Sequence, residues 1–160
     1  MTPRSAPRGA SPGRGTAQTA TLRPGVDLTS TDSIKLTVPA TSAAVRIARA
    51  GAAGLATRAG FTYHEVEQLQ LAVGEAAALL APETDGDGIL ALCFDVEPDG
   101  LRIDLHLVDP GSAAVDPWAG SVPTIALAVL DGAVDTWHMG DGGRRIVLEK
   151  HLSETDDDDD

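Results

Sequence analysis

The sequence predicts a two-layer α+β sandwich in which helices cover one face of a sheet. Three observations carry that expectation. Thr62, with Glu65 three residues on, forms a capping box ahead of a helical apolar stripe. Leu90, Leu92, Phe94 and Val96, then Leu101, Ile103, Leu105 and Leu107, alternate on either side of Glu97-Pro98-Asp99-Gly100, the pattern of a β-hairpin. The elements read in the order β-α-α-β-β-α-β-β, which suits one layer of helices on one of strands.

Taken in order, Ile34, Leu36 and Val38 alternate with Lys35 and Thr37 and predict a short strand closed by Pro39. A helix follows, capped by Thr41 or Ser42, with Val45, Ala48, Ala52 and Leu55 at helical intervals until Gly60. In the second helix Phe61 and Val66 can staple the first turn, and Leu69, Val73, Ala77 and Leu80 form the apolar stripe. Leu71, Glu75 and Leu79 lie at i, i+4 and i+8 on roughly the opposite face, so a lone carboxylate sits between two leucines. In the hairpin, Arg102, Asp104 and His106 alternate outward, which predicts a wet sheet face and a surface role for His106. Cys93, in an apolar strand, reads as a packing residue. Asp109 to Gly120 reads as a loop with Trp118 near its end, and 124–130 as a short helix ended by Gly132. Val134 to Met139 and Arg145 to Leu152 then flank a Gly140-Asp141-Gly142-Gly143 turn.

Composition divides the chain into a Pro/Gly/Arg-rich leader expected to be disordered (1–32), one folded domain (33–152) and an acidic tail (153–160). The formal charge is −12, and removing Glu154 and the five terminal aspartates still leaves −6, so the domain is acidic and poorly suited to direct nucleic-acid binding. Four arginines, Arg4, Arg8, Arg14 and Arg23, make the leader basic. The apolar runs are short of a membrane span and no signal-peptide pattern is present, so a cytoplasmic protein is expected. A single cysteine excludes an internal disulfide and a cysteine-based metal cluster. The four histidines show no ligand spacing, and no metal is assigned.

Leu71-Ala72-Val73-Gly74-Glu75-Ala76 and Val108-Asp109-Pro110-Gly111, in this order and at this separation, resemble the RsbW-type anti-sigma factors of the GHKL (Bergerat) ATPase group, in their actinobacterial form. The resemblance covers nearly all of 33–152 and implies a mixed, mostly antiparallel sheet under the helices. In that family the second-helix glutamate assists proton removal from a serine of the partner, which the resemblance assigns to Glu75. The asparagine four residues on holds Mg²⁺ against the ATP phosphates, but position 79 is leucine, and a hydrocarbon offers no oxygen to a hard cation. Asp109 and Gly111 match the adenine-contacting motif, whereas Ala113 replaces its second glycine. Gly120-Ser121-Val122-Pro123 stands where a glycine pair would admit phosphate, and Pro123 removes an amide donor. Read from the residues alone, the alternative for Glu75 is a helix-edge carboxylate reaching solvent or an arginine, and for Asp109 a turn residue before Pro110-Gly111.

The resemblance further implies a protein that sequesters an RNA polymerase sigma factor, of stress or developmental type, and is released by an anti-sigma-factor antagonist; such domains are usually homodimers. Arg46, with Arg49 beside it, matches the first-helix arginine that meets these partners, against the alternative of a solvated helical face. Degraded motifs make weak or absent ATP binding the expectation. The alternatives are an active ATP-dependent serine kinase using Glu75 and another Mg²⁺ ligand, and a pseudo-enzyme that senses a small molecule in the emptied pocket.

Overall fold

The computed structural model describes residues 32–81, 88–108 and 123–153. Its elements run β1 (Asp32–Pro39), α1 (Ser42–Ala59), α2 (Tyr63–Leu80), β2 (Ile89–Glu97), β3 (Gly100–Val108), α3 (Thr124–Ala133), β4 (Thr136–Gly140) and β5 (Arg145–His151), the order the sequence predicts. The five strands form one sheet in the order β1-β2-β3-β5-β4, and each of the four pairings is antiparallel.

The helix ends follow local chemistry. The Thr41 hydroxyl accepts from the Ala44 amide and starts α1, and Gly60, at φ +96°, ends it in the left-handed conformation. Thr62 and Glu65 form the full capping box of α2. The buried stripe of α1 is Ala44, Ala48, Ala52 and Ala56, four small residues that admit close approach of neighbouring elements. Val45 and Leu55, expected in that stripe, flank it and are half-buried.

Between the layers lies a core of Leu69, Val73 and Leu80 from α2, Leu92 and Phe94 from β2, Ile103 and Leu105 from β3, and Ile146 and Leu148 from β5, each no more than 2% exposed. Burying a large aliphatic or aromatic side chain contributes about 1.5–3 kcal/mol, so this set supplies the main drive to fold. α2 holds the centre, packed on α1, α3 and the sheet.

Two boundaries differ from the sequence reading. α3 runs through Gly132 to Ala133 and stops where Val134 turns extended, its amide bonded to the Leu130 carbonyl. Gly132 has no left-handed φ and so is not the stop. β4 starts at Thr136 because Val134 caps α3 and the Asp135 amide joins the Glu149 carbonyl at 3.0 Å. The β4–β5 turn forms as expected, with Asp141, Gly142 and Gly143 all at positive φ.

Cys93 is also corrected. Leu92 and Phe94 point to the core, so strand alternation turns Cys93 to the open face, where its Sγ lies 3.1 Å from Ser33 Oγ and 3.6 Å from Asp95 Oδ1.

Candidate functional site

α2 carries the candidate catalytic carboxylate. Its Leu71, Glu75 and Leu79 share one side of the helix, and that side passes from solvent into the core along its length. Leu71 is 46% exposed, Glu75 half-buried and Leu79 only 3% exposed. The C-terminal half of α2, with Ala76, Ala77, Leu79 and Leu80 buried, is thus covered almost all round.

Position 79 therefore presents buried hydrocarbon where the resemblance places a magnesium ligand. Mg²⁺ demands near-octahedral oxygen donors, and Leu79 supplies none from its side chain, so this residue does not fit the metal. Among the described residues no cluster of three or more His, Cys, Asp or Glu forms a cation cage. Asp109, Gly111, Ala113 and Trp118, and all of Gly120-Ser121-Val122, lie outside the described residues. Pro123 directly precedes α3 and gives that helix no side-chain cap.

The structure lays the Arg49 stem against α2 at Gly74, the residue before Glu75. Arg46 and Arg49 are both exposed on α1. The Arg49 stem crosses α2 at Gly74, where an added Cβ would lie 3.1 Å from Arg49 Cδ. Gly74 thus leaves room for an arginine stem one residue before Glu75.

The N-terminus of α2 holds a group whose full role the sequence does not reveal. Glu65, 6% exposed, accepts from the Thr62 amide and hydroxyl at 2.8 Å each and from the Ser153 amide and hydroxyl at 3.2 and 2.5 Å. Burial is the largest influence and opposes ionisation, but the hydrogen bonds from Ser153 and Thr62 together outweigh it and hold the carboxyl down to about 2. The capping half of this arrangement is legible three residues away. Its second half comes from a serine 88 positions along the chain, assigned to the tail by composition, and no local pattern signals it.

On the opposite side of the molecule, Arg145 grips Asp104 through Nε at 3.0 Å and a second, shorter bond, and Arg102 pairs with Glu149, which also accepts from Thr136 at 2.8 Å. The Arg145 hydrogen bond holds the Asp104 carboxyl below its usual range against the effect of burial. A shallow depression of about 300 Å³, lined by Lys35, Cys93, Asp104, His106 and Arg145, lies on this face. The sheet separates it from Glu75, and His106 is exposed as its alternation predicts.

The fold defines a GHKL-type α/β sandwich. No protein-family model matches the chain. It is 30% identical over 119 residues to the serine-protein kinase RsbW of Halalkalibacterium halodurans, covering 73% of this chain and 69% of that one. To the serine-protein kinase RsbW of Listeria innocua it is 33% identical over 140 residues, covering 77% and 89%. A solved structure of RsbU and RsbW domains from Mycobacterium tuberculosis superposes with a TM-score of 0.53 at 16% identity, over 76% of this chain and 32% of that larger one, a likeness of fold. The chain belongs to the RsbW family.

Proposed function

We propose that this chain is an anti-sigma factor that sequesters an RNA polymerase sigma factor, is released by an antagonist protein, and binds ATP weakly or not at all. The observation that carries the reading is the burial of Leu79 on the helix that bears Glu75. A kinase of this family needs charge neutralised on the transferring phosphoryl group, and the residue expected to position the metal is here part of the core. What persists is a stable scaffold presenting Arg46 and Arg49 on α1, exposed and of the residue type enriched at energetic hot spots. An acidic body also complements the basic surface of a DNA-binding partner and speeds their encounter.

The remaining parts of the reading are a homodimer, no direct nucleic-acid contact and a cytoplasmic location. In its support, no described helix is long and apolar enough to cross a membrane.

Calorimetric titration of the full chain with ATP and Mg²⁺, beside capture of a sigma factor from its host, tests the proposal. Absent nucleotide heat with sigma-factor capture is the expected result; failure to bind any cognate sigma factor overturns it. Glu75 favours one competing reading, the active kinase. It is half-buried on α2, and no hydrogen bond or ion pair joins its carboxylate to another described residue, which leaves that group available as a base. Label transferred from ATP to an antagonist serine, and lost in Glu75→Ala, would establish that reading instead.

A further inference from the structure

Among the described strands β1 lies at the edge of the sheet, with β2 on one side and no strand on the other. The Ala40 amide donates to the Gly88 carbonyl at 2.8 Å, continuing the register that sets Val38 against Leu90. Antiparallel strands bond through alternate residues, so Ile34, Leu36 and Val38 direct their backbone groups to β2, and Ser33, Lys35 and Thr37 direct theirs to the open edge. On the core face this edge is thinly covered. Ile34 is 40% exposed and Leu36 half-buried, whereas Phe94 and Leu92, opposite them on β2, are at most 2% exposed. The Arg49 stem of α1 lies against α2, while a Cβ added at Gly51 would meet the Leu36 side chain at 3.7 Å, so the face of α1 turned away from α2 leans over β1. Ile47, one turn before Gly51 on that face, is 53% exposed. An eight-residue edge strand under an apolar seam is a template for pairing and is ordinarily covered.

We infer that a second copy of this chain covers it: β1 pairs antiparallel with the β1 of that copy about a two-fold axis at Leu36, joining the two sheets into one. This assigns a surface to the homodimer of the proposed function and rests on that part of the reading. With the axis at Leu36, that residue meets its own copy and Ile34 meets Val38 on the core face, under Ile47, while Lys35 meets Thr37 on the open face. Lys35 and Thr37 are then the residues that exchange both backbone bonds, in agreement with their outward amides and carbonyls. Pro39, opposite Ser33, has no amide and closes the pairing. The neighbouring registers are worse. An axis at Lys35 opposes two lysines directly and sets Asp32 against Val38. An axis at Thr37 sets Lys35 against Pro39, whose carbonyl already accepts from the Thr41 amide at 2.8 Å. Charge favours this meeting place as well, because Ser33 to Pro39 holds one lysine and no acidic residue in a chain of formal charge −12, so two acidic bodies approach where they repel least. The contact is isologous and occupies β1 of both copies, which denies that edge to any further chain. Arg49, on the α2 side of its helix, stays clear of it.

Light scattering of the full chain, with disulfide capture across the seam, tests the pairing. In a Cys93→Ala background, Lys35→Cys in one copy and Thr37→Cys in the other place their Cα atoms about 5.5 Å apart, within reach of a disulfide. The two variants, co-expressed and oxidised, are expected to form a covalent dimer that neither forms alone. Thr37→Pro removes an outward amide and leaves the ladder to β2 intact. Two bonds are lost by symmetry, so dimerisation is expected to weaken about tenfold or more while the circular dichroism of the fold is unchanged. A dimer that resists Thr37→Pro, or that yields no mixed cross-link, would overturn the edge pairing and leave the homodimer reading standing. Cross-linking of Lys35→Cys to itself would overturn the register. A monomeric mass at every concentration would overturn both the pairing and the homodimer.

Discussion

Replacing Glu65 by glutamine tests whether the tether at the start of α2 works through charge. The side chain keeps its length but loses its negative charge, and its amide nitrogen is set against donors from Thr62 or Ser153 that need an acceptor. The carboxyl lies at about 2 in the folded chain against an ordinary 4.5, which corresponds to about 3 kcal/mol of stability at neutral pH. Because the folded value is the lower one, this contribution is complete above about pH 4.5 and is lost as pH falls toward 2. At pH 3 less than half of it remains. Urea denaturation of the full chain and of Glu65→Gln at pH 6 and pH 3 measures the difference directly. The gap between them should narrow by about 2 kcal/mol on going to pH 3. A gap of equal size at both pH values would mean the carboxylate acts by shape alone. No gap at pH 6 would mean the tether does not form.

Ser153→Ala should cost about 1–2 kcal/mol in the same urea assay, since the hydroxyl is lost while the backbone amide of residue 153 still reaches Glu65. Gly100→Ala places a Cβ 2.5 Å from the Lys150 carbonyl oxygen, a backbone atom with little freedom to retreat, and should destabilise by about 1–3 kcal/mol in thermal unfolding. Phe94→Ala removes a ring that is 1% exposed and should cost about 3–5 kcal/mol, read in the same melts. Asp104→Asn, on the open face, should change stability by about 1 kcal/mol or less despite its arginine partner, because solvent screens the pair. Arg46→Glu with Arg49→Glu should leave the melting temperature within a few degrees and weaken sigma-factor binding about tenfold or more in a direct titration.

Much of the fold was legible because its signals are local. The Thr62/Glu65 box, the Gly60 stop and the alternation on both sides of Glu97-Pro98-Asp99-Gly100 each depend on neighbours within a few residues, so they survive in any tertiary setting. The α3 and β4 boundaries were less legible. A glycine near a helix end signals a stop only if its backbone turns left-handed, and at Gly132 the chain does not require that. Cys93 could have been placed from the alternation of β2 itself; the apolar character of the strand outweighed the parity of the position.

By itself the sequence determined the order of elements, the family resemblance and the presence of a hydrocarbon side chain at position 79, because these follow from residue identity and spacing. Only the tertiary structure decided what became of that position, since burial depends on how α2 lies between its neighbours, and it lies with Leu79 in the core and Glu75 at its margin. The same holds for Glu65. Its capping role is fixed within one turn, while its hold on Ser153 exists because the antiparallel sheet returns the end of β5 to the start of α2. A contact closed across so long a stretch of chain leaves no mark on the residues beside either partner.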